Sequence, residues 1–320
     1  QWFVYWRDKD DSIHGDNLVT PANFMAVAYG ICEDRSRRDT LLRHVENQMQ
    51  NEKLFFWPLC FYAYQQGEAH PSQYPFPTYE NGDIFLGWGE LAIRAYARYD
   101  PVVAVRCIKN VLDRYAQDGL AFQRYLRRSQ AGAGGDILSN MASPVVGLYR
   151  NIYGIQPKWN RLYLEPHLTR ELAGTRLRYW LRDQWYTLDL SPERYRIEVN
   201  GFSVNETRPF GIHVKGDSLE YFCGQRKTPS MKVTRPAAAP LDLSVEAWSP
   251  AGAAIHRWTT SCARKGTPVT HAHYDLPPST EYKVHRNGAQ AEVVRSDAVG
   301  RVVVECKASD EGPQTFELRP

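Results

Sequence analysis

From residue 156 the chain is a succession of short segments in which apolar and polar residues alternate. KWNRLYLEPHL, TRLRYWLRDQWYTLDLS, RYRIEVNGFSV, FGIHVKG and SLEYFCG are each bounded by Gly, Pro, Asn or Asp. A period of two sends successive side chains to opposite faces of a strand, so this half reads as all-β. RPAAAP, a Pro- and Ala-rich stretch, interrupts the pattern, and APLDLSVEAWSP restarts it near 240–250. The last stretch, STEYKVHRNGAQAEVVRSDAVGRVVVECKA, carries an Asn287-Gly288 hairpin signal. The expectation is a β-sheet or β-sandwich domain over 156–236 and a small β-sandwich module over 237–320.

Residues 1–155 follow a different rule. VTPANFMAVAYGIC is apolar with small residues and little polar face, the mark of a helix buried on most sides. RRDTLLRHVENQMQ is amphipathic, with Leu41, Leu42, Val45 and Met49 on one stripe. An inner-looking segment over 83–98, an amphipathic PVVAVRCIKNVLDRYAQ and a small-residue ILSNMASPVVGLYRNIYGI continue the alternation. Long polar and aromatic loops, 7–17, 51–83 and 118–136, precede the inner helices, whereas the outer connections are short. This asymmetry predicts an α-then-β multidomain chain, in which helices of a partial (α/α)6 toroid over 1–155 precede antiparallel β-sandwich modules. Half a toroid exposes apolar helix faces, so an N-terminal segment or a second chain is expected to complete the barrel.

Composition excludes some functions. The net charge is +3 and no Lys/Arg block stands out, which gives no support to a nucleic-acid or membrane-surface partner. No apolar run approaches the roughly 20 residues that span a bilayer. QWFVYWRDKDD lacks the basic start, apolar core and cleavage site of a signal peptide, and with no Met at its start the chain is expected to begin inside a larger protein. None of the 6 cysteines forms a C-x-x-C pair, so neither a zinc site nor a dithiol is expected, and the cysteines do not decide the compartment.

The stretch with the most chemistry is YPFPTYENGDIFLGWGELAIRAYARYD, residues 74–100. Pro75 and Pro77 forbid helix before it, and Asn81-Gly82 is a turn and cap signal. Glu80, Asn81 and Asp83 sit among the rings of Tyr74, Phe76, Tyr79, Phe85 and Trp88. Carboxylates and amides bind hydroxyls, and aromatic faces accept the C–H face of a pyranose, so the combination suits a sugar. The alternative is a plain helix N-cap.

Glu80-Asn81-Gly82, Gly134-Gly135, Gly154-Ile155 and Leu162–Pro166 resemble the C-terminal half of the six-hairpin glycosidase clan. Within it the likeness is greatest to the cellobiose phosphorylase and cyclic β-glucan phosphorylase type, over about residues 1–190. That resemblance implies a carbohydrate-active enzyme. Those phosphorylases follow Glu-Asn-Gly-Gly with Tyr-Thr-His, whose His contacts phosphate, and carry Thr-Gly-Ser in the last Gly-rich loop. Here Asp83-Ile84-Phe85-Leu86 and Asp136-Ile137-Leu138-Ser139-Asn140 stand instead. Carboxylates repel phosphate and can deprotonate water, which favours an inverting glycoside hydrolase acting on an oligo- or polysaccharide. A phosphorylase of the same fold and a non-catalytic carbohydrate-binding subunit are the alternatives.

Inverting hydrolysis needs two carboxyls roughly 6.5–9.5 Å apart, one protonating the leaving oxygen and one activating water. The resemblance points to Asp136 as the base, against a plain cap, and to Glu80 as a sugar contact. Asp83 rivals either, and the general acid has no counterpart in this chain. Asn81, Asp16 (with His14), the Trp57 ring, Arg124 and Tyr125 are candidate substrate contacts; Trp57 is otherwise core. Ile13 and Val19 stand where an EF-hand loop needs Gly and Glu, so no metal is expected, and the chemistry calls for no cofactor. His213, His256, His271 and His273 lack a Ser or Cys partner pattern and read as structural.

Overall fold

The computed structural model describes residues 2–4, 6–65, 68, 75–119, 121–134, 140–236, 239–249, 255–309 and 312–320. The chain divides into two compact units, Gln1–Tyr153 and Gly154–Pro320.

Unit 1 opens with a short hairpin, β1 (Trp6–Arg7) against β2 (Ile13–His14). α1 (Thr20–Ala28) has proline in its first turn. α2 (Arg35–Glu52) starts at Asp34, whose carboxylate accepts from the Arg37 N–H at 2.7 Å, and stops at Lys53, which is left-handed at φ 54°. A 3-10 turn at Leu86–Trp88 leads into α3 (Gly89–Ala97). α4 (Pro101–Asp118) is capped by Asp100 and ends at Gly119, φ 70°. β3 (Arg124–Tyr125) and β4 (Gly132–Ala133) form a second hairpin. α5 (Ser143–Gly147) runs into a π-helical turn at Leu148–Ile152.

α3 is the hub, packing on α1, α4 and α5. A Cβ on Gly89 would lie 2.4 Å from Cγ of Pro144, and one on Gly147 would lie 2.9 Å from Cβ of Ile93. Both glycines are therefore what lets α3 and α5 approach so closely. The Leu41, Leu42, Val45 and Met49 stripe of α2 is buried. Tyr96 of α3 donates from its hydroxyl to the Leu42 carbonyl at 2.8 Å and stacks on Trp57, 5.1 Å away. Phe24 and Phe56 close on Trp57 edge-first, so the cluster is sealed.

The expected toroid is not formed. The chain is 37% strand and 24% helix, and of the five α-helices among the described residues three are short. Only α2 and α4 reach 18 residues, whereas α1 and α3 have 9 and α5 has 5. At about 1.5 Å per residue the short ones rise only about 8–14 Å, too little to wall a barrel. The amphipathic stripes identify the long helices correctly, but the apolar inner-looking segments are partly loop: 83–98 spends its first residues in a β-bridge at Ile84 and a 3-10 turn. Nor is the order simply helices before strands, because β1–β2 and β3–β4 lie among the helices. Without a half toroid, the ground for expecting a chain that completes one is gone.

Unit 2 is a two-sheet β structure. Its strands are β5 (Ile155–Lys158), β6 (Arg161–Leu164), β7 (Thr175–Leu181), β8 (Gln184–Ser191), β9 (Arg194–Val199), β10 (Phe202–Glu206), β11 (Phe210–Lys215) and β12 (Ser218–Cys223). They continue as β13 (Met231–Thr234), β14 (Leu241–Trp248), β15 (His256–Cys262), β16 (Pro268–His273), β17 (Glu281–Arg286), β18 (Ala289–Arg295), β19 (Val302–Lys307) and β20 (Gln314–Arg319). A nine-stranded sheet has the order β18-β17-β20-β15-β14-β10-β9-β8-β7 and a seven-stranded sheet the order β19-β16-β13-β12-β11-β6-β5. Alternation places Leu188, Ile197, Val204 and Leu243 of the first sheet and Ile212, Leu219 and Val233 of the second in the core. Across the interior, Trp248 lies 6.0 Å from Tyr221 and Trp258 4.3 Å from His273.

Residues 237–320 do not make a separate module. β10 pairs in parallel with β14, Phe202 opposite Leu241, and β13 pairs with β16, Met231 opposite His273. Strands from both sides of residue 236 therefore build both sheets. The Pro- and Ala-rich stretch is a connection within the fold.

Candidate functional site

The three long loops of unit 1 are tied together strand by strand. Thr20 N–H donates to Leu59 O at 2.9 Å, and Tyr62 N–H to Asn17 O at 3.1 Å. Leu59 N–H donates to Asp83 O at 2.9 Å. Ile84 and Tyr125 exchange both backbone hydrogen bonds, each 2.9 Å. Segments of the loops that precede α1, α3 and α5 thus meet at one place, although the helices form no ring.

At that place Asp83 is fully buried. Its Oδ2 accepts from Tyr79 N–H at 2.7 Å and from Arg124 Nε at 2.9 Å, and its Oδ1 accepts from Arg127 N–H at 3.1 Å. Arg127 is buried as well. Its Nε donates to Glu52 Oε2 at 2.6 Å, its Nη1 to the Cys60 carbonyl at 2.7 Å and its Nη2 to the Phe61 carbonyl at 3.1 Å. A buried charge is tolerated only when paired and hydrogen-bonded, and this pair of residues meets that demand while fixing three loops.

The turn above is correspondingly rigid. Tyr79 is left-handed at φ 54°, and Gly82 sits at φ 126°. A Cβ on Gly82 would press on Phe76 and Pro77 at 3.1–3.2 Å, so only glycine fits. Asn81 is buried, its Oδ1 accepting from the Tyr64 N–H at 3.1 Å. Glu80 is exposed at the tip. Beside it, Tyr79 lies edge-on to Phe85 at 5.5 Å and under the Arg124 guanidinium at 5.0 Å, and Phe76 is 38% exposed. The Asn17 amide is also buried, beside the Cys60 thiol. Burial pushes the Cys60 thiol up to about 12, so it stays protonated and is no nucleophile.

The structure thus sorts the sequence candidates. Glu80 and Arg124 reach the surface, while Asp83, Asn81 and Tyr125 hold the turn from below. Trp57 is core and offers no stacking face, because Tyr96, Phe24 and Phe56 cover it. Asp16 is exposed on the first loop. Asp136 and Tyr74 lie outside the described residues.

Sequence reasoning missed Arg127, Glu52 and Glu68. Glu68 accepts from Gly15 N–H at 3.1 Å and Gln65 N–H at 2.7 Å, joining the first two loops. His14 lies between Asp8, 2.8 Å from its Nε2, and Glu68, 3.7 Å from its Nδ1, and stacks on Trp6 at 4.6 Å. Nothing local marks these residues: one of two adjacent arginines, Arg127 and Arg128, is buried, and the contacts that bury it come from far along the chain. Among the described residues no group of His, Cys, Asp and Glu could hold a metal ion. No described helix is long and apolar enough to cross a membrane. No family model matches the chain, and neither does any curated protein.

Proposed function

We propose that this chain acts on an oligo- or polysaccharide at the converged loops of unit 1, as an inverting glycoside hydrolase. The observation that carries the reading is the turn at Thr78–Asp83. It presents one exposed carboxylate, Glu80, beside Phe76, Tyr79 and the Arg124 guanidinium, and braces it with a buried charge network. Rings offer a sugar's C–H face its apolar partner, and Glu80 and Arg124 offer its hydroxyls an acceptor and a donor.

In this reading Glu80 touches the sugar. Asp83 positions the turn and exchanges no proton with substrate, since its oxygens already accept three hydrogen bonds. Hydrolysis needs a second carboxyl, for which Asp136 is the sequence candidate. A second reading, glycan binding without turnover, is favoured by the saturation of Asp83, which leaves Glu80 as the exposed carboxylate of the turn.

The test is product release from an oligosaccharide panel, with and without phosphate, by the full chain and its Glu80→Gln and Asp136→Asn variants. Free sugar, indifferent to phosphate and reduced about 10²-fold or more in either variant, supports hydrolysis. Sugar phosphate indicates phosphorolysis instead. Binding that Glu80→Gln abolishes, with no product at all, supports the non-catalytic reading.

A further inference from the structure

The outer face of the nine-stranded sheet in unit 2 carries three ordered rows of side chains. Cross-strand register puts Arg178, Thr187, Glu198, Ser203 and Asp242 in one line across β7, β8, β9, β10 and β14. One row to one side are Trp180 and Trp185, directly opposed on β7 and β8 with ring centroids 5.0 Å apart. One row to the other side are Arg176, Asp189, Arg196, Asn205 and Ser244. Strands are about 4.8 Å apart and same-face residues about 7 Å apart along a strand, so the middle row is a trough between a tryptophan wall and an arginine wall.

The trough is a real concavity. It has a volume of about 380 Å³, and its lining includes Trp185, Thr187, Arg196, Glu198, Ser203 and Asp242. Trp180 and Trp185 are 50% and 49% exposed, unlike Trp258, Phe202, Phe210 and Phe316, which fill the core of this unit. Arg178 covers Trp185 only in part, its guanidinium carbon 4.4 Å from the ring centroid. Ser203 is 6% exposed, and its hydroxyl, on the trough floor, has no hydrogen-bond partner among the described residues. A buried hydroxyl without a partner is a cost the fold recovers when a ligand supplies one.

Charge selects among ligands. Arg196 donates from Nε to Glu198 Oε1 at 2.9 Å and from Nη2 to Asp242 Oδ1 at 3.2 Å, which ties one oxygen of each carboxylate and leaves the other to accept. The two carboxylates facing the floor disfavour an anion, and their arginine disfavours a cation. A neutral ligand with many hydroxyls and one apolar face matches an indole wall, a serine and a threonine on the floor, and braced carboxylates. The trough lies on a sheet face, where backbone groups are already paired, so an extended peptide has no ladder to join.

We propose that this trough is a second glycan site, holding one neutral pyranose unit of a polysaccharide with its C–H face against Trp185. Trp180 extends the wall, Ser203 and Thr187 bond hydroxyls from below, and Glu198 and Asp242 accept from the ring's other edge. The proposal rests on the carbohydrate reading of the chain and adds a non-catalytic subsite that anchors a long substrate.

The experiment is binding of the full chain to a panel of neutral polysaccharides and their short oligosaccharides, followed by tryptophan fluorescence and by affinity electrophoresis. The variants are Trp185→Ala, Ser203→Ala and, at the other site, Glu80→Gln. The expected result is polysaccharide affinity weakened on the order of tenfold by Trp185→Ala and several-fold by Ser203→Ala, with short-oligosaccharide binding or turnover unchanged. Ser203→Ala removes only a hydroxyl without a partner, so it folds as the parent does and keeps the test open should Trp185→Ala be unstable. Polysaccharide binding that both trough variants leave intact while Glu80→Gln abolishes it overturns the trough and leaves the loop site standing. The reverse pattern, binding lost only in the trough variants, supports the trough and counts against the loop site. No binding of any glycan removes both.

Discussion

Asp83 in unit 1 and Glu206 in unit 2 are both buried carboxylates facing arginine, and they hold different kinds of structure. Glu206 takes its partners locally, from Arg208 two residues on and from the backbone N–H of Thr207, with the Tyr221 hydroxyl 2.6 Å away across the core. Sheets with their own hydrogen-bond ladders frame it. Asp83 instead joins segments more than forty residues apart, whose backbones meet, among the described residues, in isolated bridges. In unit 2 the backbone organises the side chains, whereas in the loops of unit 1 a few side chains organise the backbone. Unit 1 should therefore be breakable by one polar substitution, and unit 2 by a change that reaches its whole interior.

Acid is such a change, and has the largest expected effect. His256 stacks on Trp248, and His271 and His273 lie tilted against Phe316 and Trp258 inside unit 2. Burial pushes His256 down to about 4 and His271 down to about 3, and His273 well below the ordinary imidazole range. Each is neutral in the fold and takes a proton near 6.5 when unfolded. Its contribution is thus complete above about pH 6.5 and is lost as pH falls toward the folded value, by up to about 1.4 kcal/mol per pH unit for each histidine. Calorimetry from pH 7 to 4 should show the unit 2 transition fall steeply. Neither ring nitrogen of His273 has a hydrogen-bond partner among the described residues. His273→Phe should keep the fold and flatten the acid slope by about one proton; an unchanged slope would remove this histidine from the account.

Asp83→Ala comes next. Removing one partner of a buried ion pair costs about 3–5 kcal/mol, because Arg124 loses its carboxylate and the Tyr79 and Arg127 N–H groups lose their acceptor. Limited proteolysis should open the loops of unit 1 at a temperature at which unit 2 is still protected. Equal loss in both units would deny that the two are held differently. Gly89→Ala forces α3 from Pro144 and should cost about 1–3 kcal/mol by denaturant titration, again in unit 1. The smallest effect is a gain. Lys53 ends α2 in left-handed geometry, so Lys53→Gly should stabilise by about 0.5–1 kcal/mol with no change in the slope of the denaturant curve.

Legibility in the sequence follows the same divide. Period-two alternation and the Asn287-Gly288 signal mark the strands of unit 2, because a strand's two faces are written in adjacent residues. Their partners are not, so the parallel pairing of β10 with β14 was hidden behind a linker-like stretch. In unit 1 the stripe of α2 could be read locally. The reading of a toroid failed because apolar stretches such as that around Ile84 and Leu86 are buried as a β-bridge and a 3-10 turn, held by distant residues, and burial alone does not specify helix. At the candidate site Glu80 and Arg124 were visible as residue types, whereas the inward direction of Asp83 depends on Arg124 reaching it from 41 residues on and on the Tyr79 and Arg127 N–H groups, which nothing nearby announces.

The parallel pairing of β10 with β14 also limits how this chain can be taken apart. A cut at residue 236 leaves β10 with one bare side and strips β13 of its neighbour β16, exposing backbone edges in both fragments. Bare edges recruit other strands, and the fragments would aggregate instead of folding. For recombination, domain grafting or recombinant expression of parts, residues 154–320 are one indivisible piece, and the seam that the prolines and alanines suggest is not a place to cut.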